Sequence, residues 1–268
     1  VSGLAQAGAV LLGGTLARAE TLYGGDLSDV VRIVLTDGRT AVVKGGAAPR
    51  VEAEMLRAIG ASGCPAPRVL AASESVLVLE ALTSGGSVDA AWGSLGAALA
   101  RLHAVRGDCY GWKAPYAFGA VPINNESCED WPEFWAMRRL LVHVPHVDAA
   151  LGKRVERLAG ALPGWLPARP PAVLLHGDLW SGNVLVADDA VSGLIDPACY
   201  YGHCEVDIAM LGLFDRPGRE FFAAYGALEP GFEERLAIYR LWPTLVHLRL
   251  FGPAYHGLVH ELLSRLGA

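Results

Sequence analysis

The stretch HGDLWSGN, residues 176–183, and the run LIDPACYYGHCEVDIAM at 194–210 decide how the chain reads. Each sets acids and an amide inside apolar segments that would otherwise be plain buried strand. AVLL at 172–175 and NVLVA at 183–187 read as short strands flanking the polar group, and VSGLID returns as a third strand that ends on Asp196. Asp178 and Asn183 then stand at opposite ends of one loop, with Asp196 after the next strand, so three oxygen-bearing side chains converge at a strand edge. An Asp and an Asn in a loop are also ordinary turn chemistry, bonding nearby amides. Phosphoryl transfer from ATP needs the same set: a carboxylate to orient and deprotonate an attacking hydroxyl, and oxygen ligands for Mg²⁺. Asp178 fits the first role; Asn183 and Asp196 fit the second.

Upstream segments favour the second reading because they supply its other parts in order. VVRIVLTDGRTAVVKGG carries two β-branched runs, Val30–Leu35 and 40–44, around the turn signal Asp37-Gly38. Gly24 and Gly25 precede the first run, where a flexible loop lets backbone amides approach phosphates. Lys44 ends the hairpin, and a helix over RVEAEMLRAIGASG puts Glu54 about ten residues later, the spacing at which a helix Glu holds a strand Lys against phosphates. SVLVLEAL at 75–82 reads as a buried strand, and TSGG at 83–86 as a hinge between lobes.

Further along, Ser87 caps a helix whose stripe of Val88, Trp92, Leu95, Leu99 and Leu102 is core, with His103 packed at its end. Residues 107–130 read as loop, Asp130 starts a helix with Pro132 in its first turn, another helix covers 153–162, and 232–266 is helical with breaks at Pro243 and Gly252-Pro253. Strands come first and helices later: an α+β chain of two lobes, 1–82 and 83–268. Composition agrees, with 52% hydrophobic and 19% charged residues marking a folded protein. The net charge of −6 disfavours nucleic acid and anionic membrane as partners. The most apolar candidate span, 88–105, is broken by Asp89 and Arg101. Five cysteines without a CxxC pair suit a reducing cytoplasm better than disulfides or structural zinc.

With these residues in place, the chain is similar to the fructosamine kinase (ketosamine 3-kinase) family, a branch of the aminoglycoside phosphotransferase and protein kinase-like superfamily. The match rests on HGDLWSGN, IDPACYYGHCEVDIAM, RLH at 101–103, YG at 110–111, DWPEFWAMRRL at 130–140 and RLFGPAY at 249–255. HGDL with a later ID is common across the superfamily; Trp180 in the loop and the DPAxYYGxxExDxAM run are narrower. The resemblance implies a two-lobed kinase-like fold and ATP-dependent phosphorylation of a sugar hydroxyl, after which the ketosamine (ribulosamine, erythrulosamine or fructosamine) breaks down and frees the amine, a deglycation. Asp178 would be the base acting on the 3-hydroxyl of a ketosamine, and Asn183 and Asp196 would hold Mg²⁺. Lys44, paired with Glu54, would contact the phosphates of ATP; Gly24 and Gly25 would form the nucleotide loop; backbone at Glu80 and Leu82 would meet adenine. Asp207 and His203, with Glu205, would brace the catalytic loop, and His176 would be structural. The implied partner is a small ketosamine or a glycated protein amine, met by a monomer.

Trp180 reads equally as an apolar wall for the sugar or as core. Cys199 and Cys204, close to the metal strand, read as packing. The chain departs from the family in a short start, where the leading helix and first strand are expected to be truncated or rearranged, and in DLSD at 26–29, two acids where phosphates arrive. Two alternatives stay open: a kinase of another alcohol, such as an aminoglycoside or choline, and a catalytically dead nucleotide-binding scaffold. The intact Lys44, Asp178, Asn183 and Asp196 weigh against the scaffold.

Overall fold

The structure is a computed structural model that describes residues 2–22 and 29–268. Helix α1 (Ser2–Leu11) and strand β1 (Leu16–Thr21) open the chain, so the leading helix and first strand expected to be truncated are both present. Strands β2 (Val30–Leu35) and β3 (Thr40–Gly45) form the expected hairpin, and α2 (Pro49–Ala61) follows. Strands β4 (Val69–Ala72) and β5 (Val76–Glu80) complete an antiparallel sheet in the order β1-β2-β3-β5-β4. Alternation along β2 and β3 turns Val31, Ile33, Leu35, Ala41 and Val43 to one face, where Ala5 and Ala9 of α1 cover them.

The placement of α2 matters most for the site. Its Ala53 and Leu56 pack against Leu77 and Leu79 of the sheet. Met55 and Ile59 join a different cluster with Leu95 and Leu99 of α3 (Trp92–His103). Burying each such side chain contributes roughly 1.5–3 kcal/mol, which fixes the helix between the sheet and the rest of the chain.

Residues 107–130 are more ordered than a loop, since they contain a hairpin of β6 (Tyr116–Phe118) and β7 (Val121–Ile123). Helix α4 (Trp131–Trp135) starts as expected: the Asp130 carboxylate accepts from Glu133 N at 2.9 Å and Pro132 lies in the first turn. Next come α5 (Ala149–Ala161), β8 (Val173–Leu175), the hairpin β9 (Val184–Ala187) and β10 (Ala190–Leu194), and β11 (Tyr200–Gly202), which pairs with β8. Four helices close the chain: α6 (Glu205–Phe214), α7 (Arg219–Tyr225), α8 (Phe232–Phe251) and α9 (His256–Arg265). Pro243 does not end α8, contrary to expectation. A proline costs a helix one hydrogen bond, but Ala237, Ile238, Leu241, Trp242, Leu245 and Val246 around it are all buried in the large core, whose packing holds the helix together. The break at Gly252-Pro253 does occur, with Gly252 at φ 78°. Among the described residues no helix is long and apolar enough to cross a membrane.

Candidate active site

Residues 176–183 leave β8 through a turn that only glycine fits. Gly177 stands at φ 83°, and a Cβ there would run into the carbonyl of Ala198. The turn aims two backbone N–H groups at one carboxylate: His176 N and Gly177 N donate to Asp207 at 2.7 and 2.9 Å. His103 Nε2 meets the same carboxylate at 3.1 Å, and its Nδ1 lies 2.7 Å from Tyr225 Oη. Burial alone would push Asp207 up, but the His103 and Gly177 bonds outweigh it and hold the carboxyl below its usual range. Asp207 therefore anchors the loop from the first turn of α6. His176 is buried and neutral, burial having lowered it, and its Nε2 donates to Ile195 O at 3.0 Å while its Nδ1 accepts from Asp178 N at 3.3 Å. One ring thus ties the loop to the segment carrying Asp196.

Asn183 Nδ2 donates to the Asp178 carbonyl at 2.8 Å and to Asp178 Oδ2 at 3.1 Å, leaving its Oδ1 free of protein donors among the described residues. Burial, reinforced by Asp196 and Asp207 and opposed by the Asn183 bond, pushes the Asp178 carboxyl up to about 7. Asp196 stands at φ 55°, a left-handed conformation that costs free energy and that Asp tolerates better than most residues. Its Oδ1 accepts from Lys44 Nζ at 2.8 Å across 152 positions of sequence. Lys44 also donates to Glu52 Oε1 at 2.8 Å, and Tyr116 Oη donates to Glu52 Oε2 at 3.4 Å.

The helix partner of Lys44 is thus Glu52, which corrects the expected pairing with Glu54. Glu52 lies on the inward face of α2 with Met55, Leu56 and Ile59, whereas Glu54 lies on the outward face and pairs with exposed Lys113 at 3.0 Å. The periodicity of α2 held this information: positions three, four and seven beyond Glu52 are the apolar ones.

These groups line a cleft of about 980 Å³. Leu22, Val30, Val42, Leu79, Glu80 and Leu82 form its upper part. The Glu80 N–H is already given to Arg68 O at 2.9 Å and its carboxylate to the Arg68 side chain at 3.0 Å, while among the described residues no backbone hydrogen bond engages Ala81 or Leu82. Gly24 and Gly25 lie outside the described residues; Asp29, the last acid of DLSD, is exposed.

Among the described residues no three His, Cys, Asp or Glu side chains group closely enough to hold a metal alone. The donor set fits Mg²⁺ in the form that ion takes with nucleotides: one carboxylate, Asp196, and one amide oxygen, Asn183, leave the remaining positions for phosphate and water.

The lower cleft is aromatic, a feature sequence reading missed apart from Trp180. Trp180 is half-buried and lines the cleft, edge-on to Phe214 at 6.2 Å. Phe118, Trp242, His247, Phe251 and Tyr255 continue that wall. Asp215 stands there too, accepting from Ser181 N at 2.8 Å. These residues come from β6, α6 and its C-terminal end, α8 and the 252–255 turn, and no local pattern marks them as neighbours of the 176–183 loop. His203 does not brace that loop. Strand β11 delivers it into the aromatic core, where its Nδ1 lies 2.8 Å from Tyr239 Oη, and Trp131 Nε1 donates to the same oxygen at 2.8 Å. Glu205 is likewise occupied elsewhere, by Arg235 at 2.6 and 2.7 Å.

Comparison with known proteins places this geometry. The family model described as fructosamine kinase matches residues 16–268. A probable ketoamine kinase of Thermus thermophilus is 35% identical over 252 residues, covering 91% of this chain and 92% of the relative. The crystal structure of a fructosamine-3-kinase homologue from Thermobifida fusca superposes with a TM-score of 0.91 at 30% identity over 100% of both chains. A macrolide 2'-phosphotransferase from Brachybacterium faecium shares the fold alone, with a TM-score of 0.65 at 18% identity over 98% of both chains. This chain belongs to the fructosamine kinase family.

Proposed function

We propose that this chain transfers the γ-phosphate of ATP to the 3-hydroxyl of a ketosamine, a ribulosamine, erythrulosamine or fructosamine. The observation that carries the reading is the convergence of Asp178, Asn183, Asp196, Lys44 and Glu52 on one cleft, in a chain whose relatives are named ketoamine kinase and ketosamine-3-kinase. Asp178 is the base: its carboxyl, raised to about 7, accepts the hydroxyl proton near neutral pH, and the Asn183 bond fixes its rotamer. Lys44, steered by Glu52, meets the phosphates, and the unengaged backbone of Ala81 and Leu82 meets adenine. Bound Mg²⁺ supplies charge neutralisation for the transferring phosphate, held by Asn183 and Asp196. Trp180 orients the sugar, and the apolar cleft walls exclude water that would otherwise compete as acceptor.

Residues 1–82 form the nucleotide lobe and 83–268 the catalytic and substrate lobe. The chain acts as a monomer in a cytoplasm, where its five free thiols are stable. It does so on a small ketosamine or a glycated protein amine. The test is MgATP-dependent phosphorylation of ribulosyl-lysine, erythrulosyl-lysine, fructosyl-lysine, kanamycin and choline, with the phosphate located by NMR. Phosphate on the ketosamine 3-hydroxyl, abolished by Asp178→Asn, supports the reading; turnover of kanamycin or choline alone refutes the substrate.

A further inference from the structure

A second pocket, of about 610 Å³, lies beside the catalytic cleft, and Pro115 and Tyr116 line both. Its charge is one-sided. Arg249 of α8, His146 and Lys113 line it. Arg249 is half-buried and has neither a carboxylate partner nor a hydrogen-bond acceptor among the described residues. Glu126 is the single carboxylate among the described lining residues, and Arg138 takes it at 3.2 Å. Glu54 pairs with Lys113 outside the pocket at 3.0 Å. A cation held partly out of water without a counter-charge costs free energy, and here it does so in a chain of net charge −6.

The neutral groups of the lining point to the same chemistry. Trp112 Nε1 and Asn125 Nδ2 are buried N–H groups without an acceptor. The Asn125 amide cannot turn to offer its oxygen instead, because Oδ1 accepts from Arg139 Nη2 at 2.8 Å. Arg139 is itself locked, fully buried with its guanidinium 4.7, 4.2 and 4.7 Å from the rings of Phe134, Tyr200 and Trp242. Asn125, 4% exposed, is therefore left with donors alone. Orphaned buried N–H groups are rare in folded proteins and call for a partner. Burial first, and then Arg249 among its neighbours, push the buried His143 down to about 3.

We propose that this pocket is a second anion site, taking the phosphate or carboxylate group of a small molecule against Arg249, His146 and the donor groups of Asn125 and Trp112. The site is distinct from the catalytic cleft, and its ligand is an oxyanion because the buried side-chain groups of the lining left without a partner, Trp112 Nε1 and Asn125 Nδ2, are donors, and Arg249 beside them is a cation.

Calorimetric titration of the full chain with inorganic phosphate, and separately with acetate, tests it, with a non-hydrolysable ATP analogue and Mg²⁺ present throughout to fill the catalytic cleft. Millimolar binding is expected, weakened at least about tenfold in Arg249→Gln and in Asn125→Asp, and unchanged in Lys44→Met. Asn125→Asp gives Arg139 a carboxylate partner, so it guards against loss of binding through misfolding. Tighter binding of phosphate assigns the site to a phosphate ester, and tighter binding of acetate to a carboxylate. No binding of either up to about 50 mM overturns the proposal. Phosphate binding that survives Arg249→Gln and disappears in Lys44→Met overturns it as well, by placing the anion in the catalytic cleft.

Discussion

Glu52→Gln should cripple turnover while Glu54→Gln leaves it nearly intact. Lys44 Nζ sits 2.8 Å from Glu52 Oε1 in a pair whose side chains are 8% and 7% exposed. At an effective dielectric near 20, unit charges at that separation attract by roughly 6 kcal/mol before desolvation. The net worth of a charge-assisted hydrogen bond in a protein is about 1.5–3 kcal/mol. Gln keeps the shape and an oxygen, so the loss falls within that smaller range. If Glu52 works by holding Lys44 toward the phosphates, the loss appears as a fall of about 10- to 150-fold in kcat/KM for ATP. Glu54 pairs with Lys113 at side-chain exposures of 44% and 67%, a surface contact worth about 0–1 kcal/mol, so its variant should stay within about twofold of the parent. Burial raises the Glu52 carboxyl in spite of Lys44, and removing its charge relieves part of that cost. Lys44 also keeps Asp196, so Tm should move by no more than about 4 °C. Steady-state kinetics with ATP varied, run beside thermal melts, check both numbers. Equal kinetic losses in the two variants, or a Glu52→Gln loss explained by unfolding, would refute the assignment.

Two further outcomes follow from the loop and its anchor. Asp207→Asn must turn an NH₂ group toward one of the three N–H donors that the carboxylate now accepts; urea and thermal unfolding should show a loss of about 3 kcal/mol or more, about 6 °C or more in Tm. For Asp178, the folded chain holds its proton up to about 7 while the unfolded chain releases it near 3.8. The parent should therefore lose stability relative to Asp178→Asn as pH rises from about 4 to about 7, by at most about 4 kcal/mol and by less to the extent that the carboxyl opens to the cleft. Urea titrations at the two ends of that window give the slope, and kcat/KM should rise through the same range as the base ionises; a parent that gains stability over that window contradicts the burial of Asp178.

Most of the fold was legible because its signals are local. Asp37-Gly38 between β-branched runs specifies β2 and β3, Asp130 with Pro132 specifies the start of α4, and the oxygen set Asp178, Asn183 and Asp196 announces itself by spacing within a few strands. What stayed hidden depends on facing and on distance. Spacing along the chain alone points to Glu54, whereas the helix face defined by Met55, Leu56 and Ile59 marks Glu52 as the inward residue. Pro243 read as a break because propensity is local, whereas the packing that carries α8 through it comes from residues far along the chain. The resemblance implies a bracing role for His203 as for Asp207, yet His203 follows the end of β11 and meets Tyr239 Oη, while Asp207 lies on α6 and takes the loop amides of His176 and Gly177. The aromatic wall from Phe214 to Tyr255 could not be read at all, being assembled from elements that meet only in three dimensions.

The charges of the cleft give a reason why its chemistry needs all of its parts at once. Glu52 and Asp196 both accept from the ammonium of Lys44, and Asp178 is a third carboxyl lining the same cleft. ATP is strongly anionic, and on the proposed reading its phosphates would meet that surplus of negative charge with Lys44, already shared between two acids, as the one cation lining the cleft among the described residues. On the proposed reading, Asp196 and the Asn183 oxygen would hold a divalent cation, which would supply the missing positive charge there. With Asp196 so engaged, Lys44, which now donates to it at 2.8 Å, would be available to the phosphates on the proposed reading. Asn183 suits this arrangement because a fourth carboxylate in its place would repel Asp178 and raise further a pKa that burial has already lifted to about 7. Neutral amide, shared lysine and left-handed aspartate all answer one constraint of the proposed reading: a base that would have to stay close to a metal without binding it.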